Sequence, residues 1–327
     1  MGRGAKPSGR REHVRARPAC GRRRRGVAEP PAASRRRRDR GARAGVAVTS
    51  TRHVLLAWTF PPASVVGLVI LAGSYLQGVR LVSRGGGQSN PGRRTACFLA
   101  GVGVLALSLL SPIDTYAEQL LSVHMVQHIL ITMVAAPLLL LGGPITLILR
   151  ATNPLRRRRF LRPALRSGVA RALGNPVVTW TGFAIVMWGT HFTGLYELAL
   201  ERQSVHALEH LVYLAAALLF WWPVLAVDPS PTRLLHPGRI LYLFAAMPVT
   251  TFLGLAIYGS DRVLYPHYLW ASGRIGVSAL ADQHLGGAIM WVSAMVVMLP
   301  ALGKVLFDWL DAEDRLAVRA MEGSAHR

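Results

Sequence analysis

The chain has 327 residues, of which 51% are hydrophobic and 17% are charged, yet it carries a net charge of +22. Lysine and arginine number 38 against 16 acidic residues, and so apolar a chain can carry this charge only if it is segregated. This excludes an ordinary basic soluble domain, in which about a quarter of the residues are charged. The composition predicts an integral membrane protein with a basic extension.

The basic extension occupies residues 1–50, where runs of four arginines at 22–25 and 35–38 stand among glycine, alanine and proline. Such a low-complexity segment cannot bury a core, and we predict that it is disordered. No aromatic side chains interleave with the arginines, which argues against a nucleic-acid partner. The segment also lacks the pattern of a signal peptide, and a misassigned start codon explains it equally well.

Seven apolar runs follow within residues 51–310, each near the roughly 20 residues that an α-helix needs to cross a bilayer. We predict helices at 54–82, 96–112, 120–149, 176–198, 204–226, 239–259 and 280–308. Turn-forming pairs such as Ser111-Pro112 and Asn175-Pro176 separate them. The predicted fold is an all-α membrane protein, a bundle of seven transmembrane helices with a short cytoplasmic tail at 311–327.

Arginine placement predicts the orientation of this bundle. The connections after the first, third and fifth helices hold fourteen arginines, whereas the other three connections hold Arg202, Arg262 and Arg274. Because basic loops stay in the cytoplasm, the N-terminus is predicted outside and the C-terminus inside. The segment 1–50 would then lie on the outer side against this rule, which adds to the argument that it is not native.

Histidines cluster in the outer part of the predicted helices. Six lie at one level: His124, His128, His191, His206, His210 and His284. Two pairs, His124/His128 and His206/His210, are spaced i, i+4, which places both rings of each pair on one helix face. Ionisable side chains inside a membrane are costly, so we interpret these as functional.

The chain contains two cysteines and no CxxC motif, so a metal site must be built from histidine, methionine and carboxylates. Imidazole with methionine available at Met125, Met187 and Met290 suits copper best, then iron or zinc, but methionine in an apolar helix is usually a packing residue. We predict the six histidines as metal ligands and no catalytic residue. Three residues are predicted to support the ligands: Asp282, Met125 and Glu209. A carboxylate such as Asp282 at a helix N-terminus caps the helix or orients an imidazole.

Several motifs follow one another in order along residues 55–308. They are Ser111-Pro112, His124-Met125-Val126-Gln127-His128, Ala136-Pro137-Leu138-Leu139, Gly143-Pro144, His191 with Gly194-Leu195-Tyr196, His206 and His210 before Phe220-Trp221-Trp222-Pro223, and Asp282-Gln283 before Met290-Trp291. The set resembles the multi-span CtaG-type cytochrome c oxidase assembly factors, the kind first associated with Gram-positive bacteria. The position of His284 is included in the site by location alone.

This resemblance implies a multi-pass protein of the bacterial plasma membrane that helps to assemble the terminal oxidase, at the step of copper delivery. It implies oxidase subunits and membrane lipid as partners and copper as the metal, and it leaves the oligomeric state open. The protein is then an assembly factor and not an enzyme.

Other functions compete with this one. A haem-binding or haem-handling membrane redox protein would also use histidines on facing helices, and haem is the alternative cofactor. A membrane di-iron oxygenase would need more clustered carboxylates or histidine boxes, and no HxxHH motif is present. A retinal-type receptor is disfavoured because Lys304 is the only lysine after Lys6.

Overall fold

The computed structural model describes residues 57–85, 90–230 and 232–325, and the regular structure within these ranges is entirely helical. The basic segment predicted at 1–50 lies outside the described residues. In chain order the α-helices are α1 (Pro62–Arg84), α2 (Gly92–Leu110), α3 (Pro112–Ala117), α4 (Leu121–Ile129), α5 (Ala136–Leu141), α6 (Pro144–Ala151), α7 (Pro154–Arg156), α8 (Arg162–Leu165), α9 (Gly168–Leu173), α10 (Pro176–His191), α11 (Leu195–Glu201), α12 (Gln203–Leu225), α13 (His236–Tyr258), α14 (His267–Ile275) and α15 (Ala279–Ala325). π-Helical turns occupy Leu130–Ala135 and Arg157–Leu161.

Among the described residues, six helical segments are long and apolar enough to cross a membrane: α1, α2, the run Leu121–Ala151, α12, α13 and the part of α15 at Ala279–Arg319. The fourth predicted helix, 176–198, differs. It ends at His191 after 16 residues, and α11 begins separately at Leu195. The break falls at Thr193-Gly194, where the Thr193 hydroxyl accepts a hydrogen bond from the Leu195 amide in a local turn and Gly194 is the N-cap of the new helix.

The last helix is longer than its predicted range of 280–308, because α15 continues to Ala325. Its apolar part ends near the predicted point, and a charged helical extension follows. Lys304 pairs with Asp308 at 2.7 Å and Arg315 with Asp311 at 3.9 Å, both at i, i+4 spacing. Such pairs stabilise an exposed helix by a few tenths of a kcal/mol each, roughly 0.2–0.5. The predicted tail at 311–327 is therefore helical as far as Ala325.

The run Leu121–Ala151 lies at the centre of the bundle and is buried on two faces. One face carries Ile131, Ala135 and Leu139, which pack with α1 and α2. The other carries Met133 and Leu140, which belong to the larger core built with α10, α12, α13 and α15. Any side chain placed on this run is therefore held by neighbours on both sides, which suits a site that needs fixed geometry.

Helices α13 and α15 approach each other most closely at two glycines. A Cβ added to Gly287 would lie 2.6 Å from the Tyr258 amide nitrogen, and one added to Gly254 would lie 2.9 Å from the Gly287 carbonyl oxygen. Small residues at such crossings allow membrane helices to pack backbone to backbone. This contact fixes the start of α15 beside the histidine-bearing part of α4.

Asp228 is buried at the far end of the bundle, three residues after α12. Its carboxylate accepts hydrogen bonds from the Ile145 amide at 3.0 Å, from the Thr146 amide at 2.8 Å and from the Thr146 hydroxyl at 2.7 Å. It thereby caps α6 from a distant part of the chain. Gly143, which precedes α6, adopts a left-handed conformation with φ of 63° that glycine tolerates without strain.

The arginines of the three basic connections gather at this same end. Two cavities of about 400 and 620 Å³ adjoin there, and both are lined by Pro229 and Ser230. Five arginines from these connections contribute to their walls: Arg94, Arg157, Arg162, Arg166 and Arg233. Helix α12 has 23 residues and rises about 1.5 Å per residue, so its two ends lie about 34 Å apart. His206 and His210 lie in the first two turns of α12, at the end opposite to these arginines.

Candidate metal centre

The two histidine pairs face each other across the interface of α4 and α12. The ring centroids of His124 and His206 are 5.3 Å apart, and those of His128 and His210 are 5.8 Å apart. Within each helix the rings of a pair are 4.3 Å apart. All four side chains are buried. The helical spacing seen in the sequence therefore becomes, in the fold, one compact cluster of four imidazoles, here called the histidine cluster.

Glu209 points into this cluster. One ligand atom each from His124, His128 and Glu209 lies within 4.8 Å of the other two. The Nε2 atoms of His124 and His128 are 2.9 Å apart. This is a hydrogen-bond distance between the two rings, and it is also close to the separation of two nitrogens that bind one ion at about 2.0 Å and at a right angle. The sequence placed Glu209 in a supporting position, whereas the geometry makes its carboxylate a candidate ligand.

Several polar atoms of the histidine cluster, of Glu209 and of the neighbouring His191 are buried without a hydrogen-bond partner among the described residues. They are His128 Nδ1, His191 Nε2, His206 Nε2, His210 Nε2 and both carboxylate oxygens of Glu209. Leaving one such atom unpaired costs about 1–3 kcal/mol. Native structures satisfy nearly all buried polar groups, so a concentration of exceptions at one place calls for a bound partner. A cation coordinated by these nitrogens and oxygens would satisfy them together.

His191 joins the cluster from the last turn of α10. Its Nδ1 donates to the Met187 carbonyl oxygen at 2.7 Å and also lies 3.3 Å from the Tyr213 hydroxyl. Since Nδ1 carries the proton, Nε2 keeps its lone pair, and this atom is the one without a partner. His191 is thus prepared as a ligand by the end of its own helix.

Four buried tyrosines surround the histidines, and sequence reasoning missed them as site residues. They are Tyr196, Tyr213, Tyr265 and Tyr268. The hydroxyl of Tyr268 donates to the Ala117 carbonyl at 3.0 Å and lies 3.3 Å from His124 Nδ1. Because burial raises the pKa of Tyr268 well above its ordinary value, the phenol stays neutral. The phenol donates its single proton to the Ala117 carbonyl, so the phenol oxygen accepts the hydrogen bond from His124 Nδ1. His124 Nε2 therefore keeps the lone pair.

Asp282 supports the cluster through the backbone of α4. Its carboxylate accepts from the Leu121 amide at 2.6 Å, from the Ser122 amide at 3.4 Å and from the Ser122 hydroxyl. It caps the helix that carries His124 and His128, at the end where the unpaired amides lie. No direct hydrogen bond between Asp282 and an imidazole occurs among the described residues.

His284 lies apart from the other five histidines. Its Nε2 is 3.1 Å from the Ser260 carbonyl oxygen, and its ring lies 5.6 Å from that of Tyr258. Within the described part of the chain, no hydrogen bond or ring contact joins it to the cluster. Met125, in contrast, is fully buried and lines a small cavity together with His128 and His191.

A larger cavity of about 470 Å³ reaches the cluster from the side of α1 and α2. His206 and His210 line it together with Asp114, Glu118 and otherwise mostly apolar residues of α1 and α2. Burial raises the pKa of Asp114, which accepts a hydrogen bond from Gln127 at 2.7 Å. The cavity therefore offers a path between carboxylates near the end of the bundle and the unpartnered nitrogens of α12.

Comparison with known proteins identifies the family of this chain. The model of the cytochrome c oxidase caa3 assembly factor family (Caa3_CtaG) matches residues 73–312. Uncharacterized proteins of Mycobacterium bovis and Mycobacterium tuberculosis are each 31% identical over 274 residues, which is 82% of this chain and 41% of theirs. An uncharacterized protein of Mycobacterium leprae is 29% identical over 269 residues, 80% of this chain and 41% of its own. The chain thus spans about two fifths of the length of these relatives. No solved structure matches.

The matched range contains the whole histidine cluster, His191, the capping carboxylate Asp282 and both glycines of the α13–α15 contact. It covers well over half of the chain, and it confirms the resemblance inferred from the motifs. The chain belongs to the caa3-type cytochrome c oxidase assembly factor family.

Proposed function

We propose that this protein assists the assembly of a cytochrome c oxidase by holding copper, as cargo, in the histidine cluster and passing it to the oxidase. It acts without catalysing a reaction of its own, in a bacterial plasma membrane that it crosses seven times. The cluster lies toward the outer face, the N-terminus of the bundle is outside and the C-terminus inside. Oxidase subunits are the partners that receive the metal.

The observation that carries this proposal is the group of unpartnered atoms in the cluster. Four imidazoles and one carboxylate meet on two helices, and the nitrogens of three of these histidines have no hydrogen-bond partner among the described residues. Neutral imidazole is both the form that binds metal and the form that a membrane interior tolerates. Several imidazole donors with few carboxylates favour copper over magnesium or calcium.

Haem is the competing ligand. A porphyrin held by two histidines must lie between them, with one imidazole on each side of the iron. The His124 and His128 Nε2 atoms are only 2.9 Å apart, which leaves no room for a porphyrin between these two rings and favours a small ion at this place. An absorption spectrum of the purified protein distinguishes the two ligands, since bound haem gives a Soret band.

The test replaces His206 and His210 separately with alanine, and His284 with alanine as the matched control from outside the cluster. Each cluster variant should reach the membrane at a normal level, retain less copper after purification from copper-replete cells and support lower oxidase activity. Added copper should partly restore that activity. His284→Ala should behave as the unaltered protein in all three measurements. Full copper content and full oxidase activity in both cluster variants would disprove the proposal.

A further inference from the structure

A small cavity of about 30 Å³ lies beside the histidine cluster, and methionine is the most frequent residue in its wall. Of the nine methionines in the chain, four line it: Met125, Met133, Met187 and Met290. Met125 and Met133 lie on the run Leu121–Ala151, Met187 on α10 and Met290 on α15. Methionine is common as a flexible core residue, but four that converge from three helical segments on one void of ion or water size form a specific arrangement.

Two unpartnered imidazole nitrogens belong to residues of the same wall. His128 and His191 both line the cavity, and neither His128 Nδ1 nor His191 Nε2 has a hydrogen-bond partner among the described residues. The two atoms are buried, so each carries the cost of an unpaired polar group. The cavity is the empty space next to both residues.

The hydroxyls on the wall do not need this space. Thr132 donates to the His128 carbonyl at 2.7 Å, Thr250 donates to the Met247 carbonyl at 3.1 Å, and Ser293 donates to the Ile289 carbonyl. Each is bonded within its own helical run, and the hydroxyl of Tyr213, which also lines the cavity, lies within hydrogen-bond distance of Thr190 Oγ1 and His191 Nδ1. The groups left for a ligand are therefore two imidazole nitrogens and the thioether sulfurs.

The backbone is irregular at this cavity. The π-helical turn Leu130–Ala135 follows His128 directly and carries both Thr132 and Met133 to the wall. Pro137, which lacks an amide proton and would clash with the carbonyl of Met133 in a regular α-helix, follows one turn later. Wide turns of this kind are frequent at functional sites because they reorient side chains within a helix.

We propose that this cavity is a second metal position, selective for Cu(I), in which thioether sulfurs of Met125, Met187 and Met290 and imidazole nitrogens of His128 and His191 bind the ion. Thioether ligands prefer the soft monovalent ion, whereas imidazole accepts either oxidation state. His128 lies between the two positions, because its Nε2 faces His124 while its Nδ1 is free. A neutral imidazole keeps one lone pair, so His128 binds an ion through only one of these nitrogens at a time. The identity of the ion as cargo depends on the proposed function, but the site itself can be tested without it.

The experiment titrates the purified full chain with Ag(I), a redox-stable stand-in for Cu(I), and with Cu(I) under a reducing agent. The site variant carries Met187→Leu and Met290→Leu, which keep the volume and apolar character but remove two sulfurs. Met298→Leu is the matched control. Met298 is equally buried on α15 about 12 Å from Met290, and it does not line the cavity.

The unaltered protein and Met298→Leu should bind one equivalent of Ag(I) that the double variant binds at least roughly 10-fold more weakly. X-ray absorption of the Cu(I) form should show sulfur neighbours in the first two proteins and fewer of them in the double variant, which keeps only Met125 of the three proposed thioether ligands. Equal Ag(I) binding in all three proteins, or a Cu(I) spectrum without sulfur, would overturn the proposal and identify the cavity as a packing void or a water site.

The His206→Ala and His210→Ala variants separate this inference from the proposed function. If they lose copper and oxidase activity while the methionine variant keeps both its Ag(I) equivalent and its sulfur neighbours, only the second position is refuted. If the methionine variant loses Ag(I) while His206→Ala and His210→Ala remain fully active, the Cu(I) position stands and the delivery role of the histidine cluster falls.

Discussion

Each histidine of the site is available to a metal only through the nitrogen that its neighbours leave free. The Met187 carbonyl accepts a hydrogen bond from Nδ1 of His191, and the Tyr268 phenol oxygen accepts one from Nδ1 of His124. The Nε2 lone pair of His191 is then without a partner, and that of His124 faces the His128 Nε2 atom at 2.9 Å. Groups that fix the tautomer of a metal-binding imidazole typically change affinity 10- to 100-fold when they are removed.

Tyr268→Phe tests this role of a neighbour. It removes the oxygen that accepts from His124 Nδ1 and leaves the Ala117 carbonyl without its donor, at a cost of about 1 kcal/mol in stability. We expect copper affinity to fall roughly 10-fold or more while the protein still folds and inserts. Tyr258→Phe, at a tyrosine half-exposed beside His284, is the control and should change neither quantity. Isothermal titration with copper and thermal unfolding in detergent measure both, and unchanged copper affinity in Tyr268→Phe would refute the role.

The sequence predicted some of these residues and could not have found others. Spacing by i, i+4 identified both pairs, and Glu209, one turn after His206, follows from the same helical geometry. Tyr268 lies on α14, in the segment that connects α13 to α15, and no local sequence pattern predicts that this segment packs against the cluster. His284 lies near the predicted depth, but its side chain points away from the histidine cluster. Each residue turns a helix by about 100°, so two positions after Asp282 the side chain faces Ser260 instead of α4.

At the scale of the elements, apolar length and turn chemistry predicted most helices within a few residues of their observed ends. Prediction failed where the cause lies in tertiary structure or in polar side chains. The break at Thr193-Gly194 falls inside an apolar stretch, and the charged half of α15 continues a helix that hydropathy alone would end. The π-helical turn before Pro137 also has no local signature beyond the proline itself.

Gly287→Ala tests the closest of the helix contacts. The new methyl group would meet the Tyr258 amide nitrogen at 2.6 Å, so α13 and α15 must separate. We expect destabilisation by about 1–3 kcal/mol, as for other overpacked sites. Gly303→Ala on the same helix is the control, because an added Cβ there meets nothing within 4 Å. It should be neutral or slightly stabilising, since alanine is the better helix former. Thermal unfolding in detergent compares the two, and equal melting temperatures would show that the contact can relax.

At the scale of the whole molecule, two buried aspartates hold the central run at both of its helix starts. Asp282, from the beginning of α15, caps α4 near the histidine cluster, and Asp228, after α12, caps α6 near the arginines. Each acts across more than 80 residues of sequence. The run that carries His124 and His128 is therefore fixed in depth by two other segments, which keeps these histidines in register with His206 and His210 of α12.

The separation of histidines and arginines to opposite ends of α12 makes the orientation of the molecule testable. Basic loops remain in the cytoplasm, so residues near 169 should lie inside and residues near 261 outside. In a chain with Cys20 and Cys97 replaced by serine, Asp261→Cys should react with a membrane-impermeant maleimide added to whole cells. Val169→Cys, 70% exposed in the arginine-rich connection, should react only after the cells are opened. Equal labelling in opened cells controls for reactivity. The reverse pattern would place the histidine cluster on the cytoplasmic side, and copper would then have to be collected from the cytoplasm before it reaches an oxidase.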